Sequence, residues 1–182
     1  MRVISGTARG TRLAALSGEE ITRPTVDRVK EGMFSAVQFL LAGARVLDLF
    51  AGSGQLGIEA LSRGAARCVF IDSSREACAV VRQNLKAAGL FEKASVAETA
   101  AEMYLAACRE RFDLVLLDPP YRQGTVAVLL PAVAAVTAPG GTVLAETEHG
   151  APLPERCGTL TLKKQYKYGT VALARYEADA EF

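Results

Sequence analysis

Short apolar runs and longer amphipathic segments alternate along the chain from residue 44 onward. The apolar runs have the length of buried strands, and the segments between them repeat their apolar positions with a helical period. They predict five strands, at residues 45–50, 68–72, 94–97, 112–118 and 142–146, and intervening helices at residues 55–63, 74–88, 99–109 and 125–137. This alternation is typical of a doubly wound α/β sheet whose strands are mostly parallel.

The two ends of the chain depart from this alternation. Residues 160–166 and 170–176 leave no room for a helix between them, so we predict an antiparallel hairpin at one edge of the sheet. Residues 1–16 contain Gly6 and Gly10 and predict a short hairpin or extended arm, and residues 26–41 predict a helix. We therefore expect an N-terminal extension, residues 1–43, before a domain of residues 44–182.

Composition places the chain among single-domain globular proteins. Half of its 182 residues are hydrophobic, but no apolar run is long enough to cross a bilayer and no signal peptide is evident. The four cysteines are scattered without a C-x-x-C pair, so we expect reduced thiols in a cytoplasmic protein. With one histidine, we expect no metal. Without a long apolar run, we expect no membrane partner.

Charge is unevenly distributed along the chain although the net charge is only +1. Residues 1–45 carry seven basic and four acidic residues, and residues 155–176 carry five basic and one. The stretch between them, residues 46–154, carries nine basic and twelve acidic residues. Basic flanks of this kind suit a polyanionic partner, and ordinary surface charge explains them equally well.

A glycine-rich turn follows the first predicted strand, with Gly52, Gly54 and Gly57 in a G-x-G-x-x-G spacing. Dinucleotide-binding proteins and methyl-donor-binding proteins both use such a turn, because it lets the backbone approach a ligand. Asp48 favours the second class, since a carboxylate there repels a pyrophosphate and attracts a sulfonium or ammonium group. We predict donor contacts from Asp48 and from the turn residues Ala51, Gly52, Ser53 and Gly54.

Two further acidic residues stand at predicted strand ends. Asp72, with Ser73 beside it, is placed to bind ribose hydroxyls, and its alternative role is to cap the next helix. Asp118 opens the sequence Asp118-Pro119-Pro120-Tyr121, whose prolines fix an extended turn. The Asp118 carboxylate and the Pro119 carbonyl are acceptors that can hold an exocyclic amine, and Tyr121 offers a face for a planar base.

These motifs together resemble the RsmD family. The resemblance rests on residues 2–6, 9–10, 23–31, 47–54, 59–65, 118–121 and 167–170. It implies a Rossmann-like sheet dependent on S-adenosylmethionine, and transfer of a methyl group to the N2 amine of one guanine, guanine 966, in bacterial 16S rRNA. The expected partner is the assembled small ribosomal subunit, bound by a monomer.

Residue by residue, the resemblance implies donor binding at Asp48, Gly52, Gly54 and Asp72, and amine holding at Asp118, Pro119 and Tyr121. We expect rRNA contacts from the basic arm, the segment after it and the final hairpin, through Arg2, Arg9, Arg12, Arg23, Arg28 and Tyr168. Two positions depart from the family pattern. Thr99-Ala100 stands where an acidic or amide group often meets adenine, and Gln55 stands where a small residue is common.

Four other functions remain open from the sequence. A DNA amino methyltransferase or a protein-glutamine methyltransferase uses the same four-residue motif. An NAD-dependent oxidoreductase shares the glycine turn but must tolerate Asp48 beside the pyrophosphate. A non-catalytic RNA-binding assembly factor is the fourth.

Overall fold

The structure, a computed structural model, describes residues 1–18, 24–120 and 124–180. Within these residues eight strands form one sheet: β1 (Arg45–Leu49), β2 (Arg67–Asp72), β3 (Ala94–Glu98), β4 (Phe112–Leu117), β5 (Thr137–Glu148), β6 (Arg156–Cys157), β7 (Leu160–Tyr168) and β8 (Val171–Ala178). Their order is β3-β2-β1-β4-β5-β8-β7-β6. The first five strands are parallel and the last three antiparallel, which confirms the predicted fold class.

Helices cover both faces of the sheet. They are α1 (Pro24–Val37), α2 (Gln55–Ser62), α3 (Arg75–Ala87), α4 (Ala101–Ala107) and α5 (Thr125–Val136), with 3-10 turns at Gln38–Leu40 and Phe91–Lys93. Helices α1, α2 and α3 contribute to one hydrophobic cluster, and α4 and α5 contribute to the other. Of the helices in the described ranges, none combines the length and the apolar character that a bilayer crossing needs.

Strand β4 is covered by a hydrophobic cluster on each face. Leu114 and Leu116 belong to the first cluster, and Val115 and Leu117 belong to the second. Successive side chains of a strand point to opposite faces, so a central strand covered on both faces reads as a continuous apolar run.

Several element boundaries differ from the sequence predictions. Helix α1 begins at Pro24 rather than at residue 26, because proline is well suited to the first helical position. Strand β5 begins at Thr137 rather than at residue 142, with Pro139 and Gly140 in an irregular stretch of its pairing with β4. The short strand β6 was not predicted, since two residues leave no pattern.

The predicted C-terminal hairpin is confirmed and contains an irregularity. Pairing of β7 with β8 shifts between Leu162 and Lys164, so Lys163 is an extra residue in β7. A bulge of this kind turns the following side chains to the opposite face. Leu162 accordingly packs against the second cluster, and Tyr166 and Tyr168 pack against the first.

The N-terminal segment is a small hairpin docked on the sheet's helices. An antiparallel bridge joins Arg2 and Arg12, which confirms the predicted hairpin. Val3, Ala8 and Leu13 are buried in the first hydrophobic cluster together with residues of the sheet. Because both parts of the chain share this core, the division at residue 43 stays a prediction about organisation.

Candidate active site

The glycine-rich turn after β1 is held in a tight conformation. Phe50 has a φ of 62°, which is uncommon for a residue with a side chain, and Gly52 and Gly54 have φ values of 56° and 79°. The Ala51 N–H donates to the Ile71 carbonyl at 2.9 Å, and the Gly54 N–H donates to the Ala51 carbonyl at 2.7 Å. Backbone strain at such a turn is typical of a ligand-binding site.

Two side chains pin this turn from neighbouring elements. The Asp72 Oδ2 atom accepts a hydrogen bond from the Gly52 N–H at 2.9 Å, and its Oδ1 atom accepts one from the Ser74 N–H at 2.8 Å. On the other side, the Asn84 Nδ2 atom donates to the Ser53 carbonyl at 2.9 Å. Asp72 therefore orders both the turn and the start of α3. Each carboxylate oxygen has a second lone pair, so it can still accept from a ligand hydroxyl.

Asp48 lies beneath the turn. Its side chain is 1% exposed, and its Oδ2 atom accepts a hydrogen bond from the Gly57 N–H at 2.9 Å. Burial raises the pKa of Asp48 from 3.8 to about 7; the Gly57 N–H opposes this increase, and the nearby Asp72 adds to it. Asp48 therefore supports the turn from behind, and its predicted contact with a donor stays a prediction.

We expect Asp48→Asn to reduce the pH dependence of stability. Because the folded-state pKa is raised, the stabilising contribution of Asp48 is full below about pH 4 and is lost as pH rises through about 7. This difference in pKa corresponds to roughly 4 kcal/mol in the free energy of unfolding. Asparagine is the chosen substitution because it does not titrate and keeps an oxygen acceptor for the Gly57 N–H. Urea unfolding at pH 5 to 8 should show a loss of stability in the wild type that the variant lacks. Equal pH slopes in both proteins would contradict the assignment.

One open cavity of about 630 Å³ connects the glycine turn with the ends of β4 and β5. Its volume is in the range of small-molecule sites. The predicted site residues that line it are Ala51, Gly52, Ser53, Asp72, Ser73, Asp118, Pro119 and Pro120. The structure thus brings these eight predicted residues, from both the donor-binding and the amine-holding sets, to a single site, and the predicted donor residue Asp48 does not line it.

The cavity lining is acidic. Asp72, Glu102, Asp118 and Glu146 contribute carboxylates, and among the described residues that line the cavity none is Lys or Arg. Such a lining attracts a cationic ligand and repels a pyrophosphate. The geometry therefore favours a ligand that carries positive charge.

Some predicted residues lie elsewhere. Gly54 does not line the cavity, and a Cβ atom there would lie 3.1 Å from the Val81 side chain, so this glycine serves close packing. The Thr99 N–H donates to the Asp72 carbonyl, and neither Thr99 nor Ala100 lines the cavity. Tyr121 lies outside the described residues.

The predicted rRNA-binding residues are spread over the surface. Arg2, Arg9, Arg12 and Arg28 are exposed and do not line the cavity, and Arg23 lies outside the described residues. Tyr168 is half-buried, and a Cβ atom at Gly32 of α1 would overlap its hydroxyl group. The position of Tyr168 therefore reflects packing of the C-terminal hairpin on α1.

Several residues that line the cavity are not predicted from the sequence, among them Glu146, Glu102 and Leu16, and the role of Gln55 stays open there. Glu146 follows the apolar residues 143–145 as Asp118 follows β4, so the same strand-end signal was available for it. Glu102 and Leu16 line the cavity from α4 and from the N-terminal segment, and no local pattern marks them. Gln55 also lines it, and its buried Oε1 atom finds no hydrogen-bond donor in the part of the chain that the structure describes.

Comparison with known proteins identifies the family. The family model described as Conserved hypothetical protein 95 matches residues 1–177. The chain belongs to this family, the RsmD family that the sequence motifs resemble.

Several relatives match nearly the whole chain. The Bacillus subtilis protein YlbH is 41% identical over 182 residues, covering 97% of this chain and 98% of the relative. The Ribosomal RNA small subunit methyltransferase D of Escherichia coli K12 is 32% identical, covering 100% of this chain and 91% of the relative. The solved structure of Escherichia coli yhhF has a TM-score of 0.86 at 31% identity, covering 100% and 99%.

Proposed function

We propose that this RsmD-family chain transfers a methyl group from S-adenosylmethionine to the N2 amine of a guanine in 16S rRNA of the small ribosomal subunit. The observation that supports the proposal most directly is the single cavity shared by the glycine turn and Asp118-Pro119-Pro120. A methyl donor and a target amine must meet in one place. This cavity is lined both by the glycine turn proposed to bind the donor and by the turn proposed to hold the amine. The name of the Escherichia coli relative supports rRNA as the substrate.

The residues of the cavity fit the proposed donor. Asp72 would accept hydrogen bonds from the ribose hydroxyls while it orders the turn. The acidic lining suits the sulfonium and ammonium charges. The Gln55 Oε1 atom, which has no hydrogen-bond partner among the residues that the structure describes, suits an ammonium donor. When bound, the donor would supply a methyl group carried by a sulfonium sulfur, with S-adenosylhomocysteine as the leaving group when the target nitrogen bonds to that methyl group.

The target amine would be held at the end of β4. The Asp118 carboxylate and the Pro119 carbonyl accept its two hydrogens, which leaves the nitrogen lone pair directed at the methyl group. As the nitrogen becomes positive during transfer, the Asp118 carboxylate stabilises that charge. The nitrogen then loses one of its two hydrogens as a proton, through Asp118 to water, which gives the neutral N2-methylguanine. Tyr121, outside the described residues, is proposed to stack on the guanine after it leaves the rRNA stack.

The rRNA is proposed to lie across the N-terminal hairpin and the C-terminal hairpin, bound by a monomer. Arg2, Arg9 and Arg12 are exposed on the first. On the second, Lys163, Lys164 and Lys167 are exposed along β7, which is next to last in the sheet. Exposed cations of this kind neutralise phosphates and release counterions.

We expect the triple change Lys163→Ala, Lys164→Ala and Lys167→Ala to weaken rRNA binding. The slope of log affinity against log salt concentration should fall by about two to three, since each phosphate contact contributes roughly 0.7 to 1. Filter binding across a salt series measures it, with calorimetry to check unchanged donor affinity. Lys93→Ala, near β3 at the opposite edge of the sheet, is the control and should leave the slope unchanged. An unchanged slope in the triple variant would show that these lysines of the C-terminal hairpin do not contact the rRNA.

The proposed activity is tested with methyl-labelled S-adenosylmethionine and small subunits that lack the modification. Naked rRNA, duplex DNA and bulk protein are incubated in parallel. The expected result is label in the rRNA of intact subunits that digests to N2-methylguanosine. Label only in DNA or in protein glutamine would replace the proposed substrate, and donor binding without any transfer would favour an assembly factor.

A further inference from the structure

Two carboxylates stand side by side at the target end of the cavity. Strands β4 and β5 are parallel with Leu117 opposite Ala145, so the following residues, Asp118 and Glu146, are neighbours across the sheet. Adjacent strands are about 4.8 Å apart. Both residues are half-buried and line the same cavity.

Glu146 also faces the far side of the Pro-Pro turn. A second cavity, of about 30 Å³, lies beyond that turn, and Glu146, Pro119, Pro120 and Thr125 line both cavities. Glu146 therefore lies where the two cavities meet, beside the turn that contains Pro119. Its strand fixes its position, because β5 is paired with β4 on one side and with β8 on the other.

The chemistry of this edge distinguishes the possible target bases. Asp118 and the Pro119 carbonyl can hold the exocyclic amine of guanine, adenine or cytosine equally well, because each amine offers two hydrogens. The ring nitrogens beside the amine differ. The guanine N2 amine lies between N1, which carries a hydrogen, and N3, which is an acceptor, whereas the ring nitrogen next to the adenine or cytosine amine (adenine N1, cytosine N3) is always an acceptor. A second carboxylate next to Asp118 can accept a hydrogen bond from guanine N1–H. The same carboxylate repels the lone pair of adenine N1 or cytosine N3.

We propose that Glu146 is the residue that selects guanine, by accepting a hydrogen bond from N1–H while Asp118 and Pro119 hold the N2 amine. The inference rests on the proposed methyl transfer to rRNA and adds a residue that determines which base is accepted. The two adjacent carboxylates, Asp118 and Glu146, then accept hydrogen bonds from two adjacent donors of guanine, the N2 amine and N1–H.

The test compares guanine with 2-aminopurine at the methylated position of 16S rRNA reconstituted into small subunits. 2-Aminopurine keeps the N2 amine but has an acceptor at N1. The wild type should prefer guanine by about 10- to 100-fold in kcat/KM, the range expected for a hydrogen bond to a charged group. Glu146→Gln can donate its amide hydrogen to that acceptor, so the preference should fall at least about tenfold. Both bases are compared within each protein, so the missing O6 of 2-aminopurine cancels between the two proteins.

Glu148→Gln is the matched control. Glu148 is exposed, lies two residues further along β5 and lines only the smaller cavity, away from Asp118, so the base preference of this variant should equal that of the wild type. Calorimetry with S-adenosylmethionine checks that each variant is folded. If Glu146→Gln lowers both reactions in equal proportion, Glu146 has only a structural role and the proposal is overturned. It is also overturned if the wild type methylates both bases equally, and failure to methylate guanine at all would instead reject the proposed function.

Discussion

Asp118→Ala should lower the rate of methyl transfer by about 10²- to 10³-fold or more while donor affinity stays close to that of the wild type. Removal of one preorganised electrostatic group from an active site typically has this effect. In the proposed reaction the carboxylate orients the amine and stabilises its developing charge, whereas the donor is held by the glycine turn and Asp72. Activity and donor binding should therefore separate.

Single-turnover transfer to small subunits gives the rate, and calorimetry with S-adenosylhomocysteine gives the affinity. Asp113→Ala is the matched control, because Asp113 lies near the opposite end of β4 in a partly exposed pair with Arg45. Its rate should be that of the wild type. Equal loss of rate and of donor affinity in Asp118→Ala would contradict the proposed separation between amine holding and donor binding.

The sheet could be predicted from sequence because its signals are local. Most of the parallel strands are short apolar runs, and β3 has the weakest pattern. The helices between them repeat their apolar positions with a helical period, so the order of elements follows directly. The strand-end position of Asp72 and Asp118 follows as well, since ligands bind at the carboxyl ends of parallel strands. The cavity contains both residues.

Features that depend on the pairing of distant segments could not be predicted. The early start of β5 and the bulge at Lys163 are set by the neighbouring strands rather than by local sequence. The burial of Asp48 is similar: its charge and its strand-end position predict a donor contact, which stays a prediction, but they do not predict that its carboxylate is buried and accepts a hydrogen bond from the Gly57 N–H. Strand-end acids therefore indicate a site without indicating which of them faces it.

The attachment of the N-terminal segment is a further case. Glu59 lies in an apolar stretch of α2 and is completely buried, and nothing in the local pattern predicts its partners. Its Oε2 atom accepts from the Ile4 N–H at 2.9 Å and is 3.4 Å from the Lys30 Nζ atom. Its Oε1 atom accepts from the Ser5 N–H at 3.0 Å and from the Arg63 Nε atom at 2.9 Å. One carboxylate thus joins the N-terminal hairpin, α1 and α2.

Lys30 depends on Glu59 in turn. Its side chain is 1% exposed, and its Nζ atom also donates to the Arg2 carbonyl at 2.9 Å. Burial lowers the pKa of Lys30, and Glu59 opposes that shift. Without Glu59, the buried ammonium group would keep its hydrogen bond to the Arg2 carbonyl but lose its ion pair.

We therefore expect Glu59→Ala to destabilise the protein by about 3–5 kcal/mol, the cost of removing one partner from a buried ion pair. Two backbone N–H groups also lose their acceptor, so the N-terminal hairpin should detach. Because Leu16 lines the cavity, donor affinity should fall too. Urea unfolding and calorimetry measure the two effects.

Glu110→Ala is the matched control for this change, since Glu110 forms an ion pair with Arg67 in which both side chains are more than 40% exposed. Exposed pairs contribute about 0–1 kcal/mol, so this variant should unfold close to the wild type. Lys30→Met in the Glu59→Ala background removes the stranded charge and should recover part of the lost stability. If the double variant is instead less stable than Glu59→Ala, the stranded ammonium is not the main cost, and the loss comes from the two unpaired N–H groups of the N-terminal hairpin.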